Sequence, residues 1–218
     1  MTPIKSTLVH KAIEPKRKGG ALSPALILLH GRGANEDDLL GLAEYFDERL
    51  FVMSVRAPFS FQSGGGFTWY DLEEVGRPEP GMFAESYRKL SAFFQEAKAG
   101  YGIDPKRVFF CGFSMGTVMA YAMSLTQPAE VAGVLANSGY VPESADIRLQ
   151  WDQIKGKPYF VAHGRYDPVI PLVFAERAKD LLEKAGAHIS YHEYDMAHQI
   201  TEESLNDMMG WITRQLQG

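Results

Sequence analysis

Short apolar runs and stretches of three- and four-residue periodicity take turns along most of the chain. Ala25-Leu26-Ile27-Leu28-Leu29 is apolar at every position, the pattern of a strand covered by helices on both faces. Phe51 to Arg56, Val108 to Cys111, Val131 to Ser138, Pro158 to Ala162 and Ile189 to Tyr194 read as further strands, bounded by glycine, proline and polar clusters. Leu8 to Ile13 predicts a short edge strand, ended by the proline and glycines of the 14–20 segment. Between these runs, Tyr87, Leu90, Phe94, Ala97 and Tyr101 recur at helical spacing, as do Leu205, Met209, Ile212 and Leu216. Leu172 to Lys184 predicts another helix, and Leu39, Leu40, Leu42, Ala43 and Phe46 one more, with Asn35 as its cap. Strands that alternate with helices predict an α/β fold, a mostly parallel sheet with helices on both faces. Ligands then bind at the C-terminal ends of the strands.

One junction carries chemistry. The apolar run from Val108 stops at Gly112-Phe113-Ser114-Met115-Gly116, and small and apolar residues at helical spacing follow directly. A chance Gly-x-Ser-x-Gly is expected about one time in ten in a chain of this length, but a random match rarely has a strand before it and a helix after it. In a strand-turn-helix the serine is lifted above the sheet edge on a strained turn, with glycines where strand and helix approach closely. The N–H of the next residue, Met115, is placed to bind a developing oxyanion.

A serine hydroxyl needs a base, and the base needs an acid to fix its tautomer. Behind such an elbow the order is serine, acid, histidine. Asp167, in His163-Gly164-Arg165-Tyr166-Asp167-Pro168, and His198, in Asp195-Met196-Ala197-His198, follow consecutive strands in that order. Singly, Asp167 reads equally as a turn-forming Asp-Pro and His198 as a loop histidine; together and in order they read as a triad with Ser114. His30 and His163 each precede a glycine at a strand end and are expected to hold turns. His188 and His192 lie on a strand reading, about 13 Å apart, too far to share a metal, so no metal and no cofactor is expected. Gly31-x-Gly33 lacks the third glycine of a nucleotide loop, since Glu36 stands there. The stretch from Ala57 to about Phe83 shows no period and is too long for a mere connection. Its Phe67, Trp69 and Tyr70 are candidates to line a substrate pocket, with packing of the loop onto the sheet as the equal alternative.

Composition narrows the setting. With 218 residues, 45% of them hydrophobic, one domain over 1–218 is expected. A net charge of -5 without a long basic cluster argues against nucleic acid. No signal-peptide pattern opens the sequence and no apolar run nears the ~20 residues of a membrane span, so a cytoplasmic protein without a membrane partner is expected, monomeric or homodimeric. Cys111 is the single cysteine, within an apolar strand, and reads as a packing residue.

The combination of Leu28-Leu29-His30-Gly31-Arg32-Gly33-Ala34-Asn35-Glu36-Asp37-Asp38-Leu39, Arg56-Ala57-Pro58, Trp69-Tyr70-Asp71, Gly112-Phe113-Ser114-Met115-Gly116 and His163-Gly164-Arg165-Tyr166-Asp167 resembles the phospholipase/carboxylesterase family of α/β-hydrolases, which also contains acyl-protein thioesterases. The resemblance runs from about residue 20 to 215. It implies an α/β-hydrolase fold with a minimal lid, nucleophile Ser114, acid Asp167, base His198, and oxyanion donors from the backbone of Arg32 and Met115. Acyl-protein thioesterases usually carry Gln after the nucleophile and a Gly pair after that; Met115 and Gly116-Thr117 here favour a carboxylesterase for small-molecule esters. Thioester hydrolysis by the same residues is the alternative, and a non-catalytic binding module on the same fold is a third reading.

Overall fold

The computed structural model describes residues 4–217; residues 1–3 and 218 of the expected single domain lie outside the described residues. The strands are β1 (His10–Ile13), β2 (Ser23–Leu29), β3 (Phe51–Val55), β4 (Phe59–Ser60), β5 (Phe67–Thr68), β6 (Leu72–Glu74), β7 (Arg77–Pro78), β8 (Ile103–Phe113), β9 (Gly133–Asn137), β10 (Pro158–Gly164) and β11 (His188–Tyr194). The helices are α1 (Pro80–Gly100), α2 (Met115–Thr126), α3 (Val173–Lys184) and α4 (Glu202–Gln215). Seven strands form one sheet in the order β1-β3-β2-β8-β9-β10-β11. Only β1 runs antiparallel, against β3; the other five pairings are parallel. The expected mostly parallel sheet is therefore present, and β2, β3 and β9 are buried at every position, as continuous apolar runs between two helical layers must be.

The core is split by the sheet. On one face Ile27, Val108 and Phe110 pack with Phe94 of α1 and Val118, Met119 and Ala122 of α2. On the other, Leu26, Leu28, Phe109 and Cys111 pack with Met208, Trp211 and Ile212 of α4. Alternate residues of one strand thus feed opposite cores. Cys111 is fully buried there, and burial pushes its thiol up to about 12, so it packs as an apolar residue.

Three segments depart from the periodicity reading. The helix expected from Leu39 to Phe46 is a 3-10 turn over Leu40–Glu44. Asn35 does not cap an α-helix; its side chain accepts from Asp37 N–H at 2.8 Å in a local turn, and Gly41 in the middle of so short a segment weakens an α-helix. Helix α1 starts at Pro80, seven residues before Tyr87. Proline at the first helical position loses no hydrogen bond, and the Glu79 carboxylate accepts from Gly81 N–H and Met82 N–H at 3.0 and 2.6 Å. The stretch without period is built from two short antiparallel pairs, β4 with β5 and β6 with β7, too brief for alternation to register.

Connections place the site. From β2 the chain moves to β3 on one side, then returns past β2 to β8 on the other. The strand order reverses between β2 and β8, the switch point outside whose C-terminal strand ends such sheets bind their ligands.

Candidate active site

At the end of β8 the chain turns on Ser114, whose φ of 56° and ψ of -120° lie outside the regions that side chains favour. Such a residue costs about 1–3 kcal/mol and persists only where its surroundings fix it. Here Ser114 N–H donates to Asn137 O at 3.0 Å, Thr117 N–H donates to Ser114 O at 3.0 Å, and Thr117 Oγ1 donates to Asn137 O at 2.7 Å. A Cβ on Gly112 would stand 2.3 Å from Thr117 N, and one on Gly116 would stand 1.9 Å from Leu29 O. Both glycines of the motif are thus required by the close packing of α2 on β8 and β2. Ser114 is 7% exposed, at the N-terminus of α2, where the free N–H groups of the first turn favour negative charge.

The neighbouring strand supplies the facing loop. Leu29 is paired with Gly112, so the residues two further on, Gly31 and Ser114, meet; a Cβ on Gly31 would be 3.4 Å from that of Ser114. His30 is fully buried and held at both nitrogens. Ala57 N–H donates to Nε2 at 3.0 Å, which leaves Nδ1 as the protonated nitrogen, donating to Gly31 O at 2.6 Å. Burial holds its pKa below the usual imidazole value. In a trans peptide C=O and N–H point opposite ways, so fixing the Gly31 carbonyl on His30 turns Arg32 N–H away from it. Among the described residues neither Arg32 N–H nor Met115 N–H has a protein acceptor. The Arg32 side chain turns to other work: its guanidinium lies 4.6 Å over the Phe61 ring and donates to Asp71 Oδ1 at 3.3 Å.

The base of this loop is braced. Arg56 donates to both Glu36 oxygens at 2.6 and 2.5 Å, and its guanidinium lies 4.5 Å over the Phe67 ring. The guanidinium holds the buried Glu36 carboxyl below the ordinary carboxylate range. No sequence spacing signals this pair, because the two residues come from different segments that meet only in the sheet.

Two loops at the far side of the sheet clasp each other. Gly164 pairs with Tyr194 at the ends of β10 and β11, and beyond them Arg165 N–H donates to Tyr194 O and Tyr166 N–H to Met196 O. Asp167 and His198 are thereby brought together: His198 Nδ1 donates to Asp167 Oδ2 at 2.7 Å. The other carboxylate oxygen accepts from Val169 N–H and Ile170 N–H at 2.8 and 2.9 Å, so the acid is fixed by its own loop. His163, buried and kept below the usual imidazole pKa by that burial, donates from Nε2 to Ile170 O at 2.8 Å and stands 3.5 Å from Asp167 Oδ2. It steadies the acid's turn. Among the described residues no hydrogen bond joins Ser114 Oγ to His198. The two are linked through Phe113, whose ring lies 4.9 Å from the His198 ring.

Of the three aromatic candidates, Trp69 and Tyr70 are fully buried. Trp69 Nε1 donates to His30 O at 2.9 Å, and Tyr70 meets the Tyr140 hydroxyl at 3.3 Å. Both pack beneath the loop. Phe67 is half-buried and faces Arg56, while its neighbour Thr68 contacts Met115 Sδ at 3.4 Å. Phe113 is the residue that the sequence reading passed over. Its signal was present in the alternation of Phe109, Cys111 and Phe113, which directs all three to the α4 face. His188 and His192 lie on β11 as expected, with His192 against Phe160 and Ser190.

A free hydroxyl at a helix N-terminus, two unpaired N–H groups beside it and an oriented imidazole are the parts of an acyl-transfer site. The profile of the phospholipase/carboxylesterase family matches residues 10–216. Acyl-protein thioesterase 1 of Kluyveromyces lactis is 26% identical over 94% of this chain and 97% of its own. A probable carboxylesterase of Arabidopsis thaliana, SOBER1-like, is 27% identical over 88% of this chain and 79% of its own. Among solved structures, the Bacillus cereus carboxylesterase superposes with a TM-score of 0.83 at 27% identity, covering 95% of this chain and 94% of that one.

Proposed function

Because the chain belongs to the phospholipase/carboxylesterase family of α/β-hydrolases, we propose that it is a cytoplasmic serine carboxylesterase acting through an acyl-enzyme, with Ser114 as nucleophile, His198 as base and Asp167 as acid. The observation that carries this reading is the 2.7 Å hydrogen bond from His198 Nδ1 to Asp167 Oδ2, beside a serine held at positive φ. It fixes the proton on Nδ1 and leaves Nε2 to accept from Ser114 Oγ. Attack on the ester carbonyl develops negative charge on its oxygen, which Arg32 N–H and Met115 N–H receive. Collapse expels the alcohol, protonated by His198, and water then attacks the acyl-serine by the same route in reverse roles. The chemistry calls on no cofactor. Among the described residues no helix is long and apolar enough to cross a membrane.

Thioester hydrolysis is the second reading, favoured by the match to acyl-protein thioesterase 1 along nearly the whole of both chains. The same groups serve it, since only the leaving atom differs. A panel of esters and thioesters of one acid, repeated with increasing acyl length, separates the two. Higher kcat/KM for oxygen esters of short acids supports the carboxylesterase; preference for long-chain thioesters supports the thioesterase. An intact protein that turns over neither and never labels at Ser114 with a fluorophosphonate is a binding module.

A further inference from the structure

A cavity of about 300 Å³ opens beside His198. Its wall is formed by Leu39, Leu42, Phe113 and Ile200 together with the polar side chains of His198, Gln199 and Asp38. Leu39 and Leu42 reach it from the 3-10 turn that stands where an α-helix was expected.

We propose that this cavity is the leaving-group subsite, and that it takes the alcohol or thiol half of the substrate as a small apolar group that is uncharged or cationic, not anionic. The proposal rests on the hydrolase reading above. In acylation the bond from Ser114 Oγ to the acyl carbon forms, the bond from that carbon to the leaving oxygen or sulfur breaks, and the Oγ proton passes by way of His198 to the leaving atom. The departing atom must therefore stand at the imidazole edge that Asp167 does not hold. A group attached to that atom continues along the wall to which His198 itself belongs. Phe113, packed 4.9 Å from the imidazole, extends this wall from the elbow.

Charge preference follows from Asp38. Its neighbour Asp37 is paired with Lys11, whereas Asp38 enters no ion pair among the described residues. Apart from His198 it is the one titratable side chain on the wall. An exposed carboxylate acts through screened Coulomb attraction, so the discrimination it gives is modest, about three- to tenfold between matched cationic and uncharged groups.

The test uses two esters of one acid, butyrylcholine and its uncharged isostere 3,3-dimethylbutyl butyrate, with methyl butyrate as the small reference. The readout is a ratio of kcat/KM values, which report the acylation step in which the alcohol is still present. Asp38→Asn should lower the cationic-to-uncharged ratio about threefold and Asp38→Lys about tenfold, while Asp37→Asn, the same change of charge one residue away, should leave the ratio in place. Leu42→Trp should lower the ratio of dimethylbutyl to methyl ester about tenfold by filling the cavity. A ratio that ignores Asp38, or that moves as much with Asp37, overturns the charge preference. A Leu42→Trp enzyme whose preference changes with acyl length but not with the alcohol overturns the subsite, because the cavity then holds the acyl half. Loss of the hydrolase reading would look different: no ester or thioester turned over by the wild-type protein and no label on Ser114.

Discussion

His30 Nδ1 donates to the Gly31 carbonyl across 2.6 Å, and through that one bond a buried imidazole sets the direction of the same peptide's N–H, that of Arg32. If Arg32 contributes that N–H and not its guanidinium, Arg32→Ala should retain most of kcat. Arg32→Pro removes the donor and should lose about a hundred- to thousandfold. Steady-state kinetics on a neutral ester, with a thermal melt and fluorophosphonate labelling of Ser114 to verify the loop, decide between backbone and side chain. Equal damage from alanine and proline would assign the role to the guanidinium.

Ser114→Ala and His198→Ala should each abolish measurable ester turnover while the melting temperature stays near that of the parent, because neither side chain fills the core. Asp167→Asn should also lose activity, since an amide fails to hold Nδ1–H and the wrong tautomer results; in a serine protease the corresponding change costs about 10⁴ in kcat. Turnover by Ser114→Ala comparable to wild type would remove the nucleophile.

Trp69→Ala is expected to act on stability. The indole is fully buried and donates to His30 O, and truncation of a buried aromatic typically costs about 3–5 kcal/mol. Urea unfolding should reveal that loss, with the ratio of kcat/KM between short and long acyl chains unmoved. A changed acyl preference at full stability would make Trp69 a pocket residue.

Acid should loosen the fold in a defined window. Burial lowers the pKa of His10, His30 and His163 below the ordinary 6.5. The unfolded chain then binds protons before the folded one, so stability is complete above about pH 6.5 and falls as pH drops through that value towards the depressed folded values. Glu36, also depressed, from 4.5, adds its loss only at lower pH. The unfolding free energy measured from pH 8 to 5.5 should decline, and His10→Asn should flatten the decline; a pH-independent free energy would contradict the buried, neutral imidazoles.

The elbow was legible because its chemistry is local. Gly112 is dictated by a contact within one strand-turn-helix, 2.3 Å to Thr117 N, and Gly116 by the approach of that helix to the adjacent strand, 1.9 Å to Leu29 O. Less could be read where competing elements share a pattern. Leu39, Leu42 and Phe46 satisfy a 3-10 turn as well as an α-helix, and Pro80-Gly81 looks like a breaker until Glu79 is seen to cap the helix it opens. Order along the chain brought Asp167 and His198 to successive loops; their 2.7 Å contact depends on the clasp between those loops, which involves backbone and leaves no mark on side-chain identity. The aromatic cluster was visible, but burial decides between lining and packing, and burial of Trp69 depends on His30 and Ser86, distant in the chain.

The order of strands has a consequence for synthesis. From β8 onward each new strand adds beside the one just made, β9, then β10, then β11. As the chain leaves the ribosome, the serine-bearing turn can settle against β2 and β9 while the acid's loop is still to come, and the histidine's loop emerges later still. Translation thus delivers Ser114 well before His198, and a chain cut short between the two would hold the proposed nucleophile without the base that would arm it.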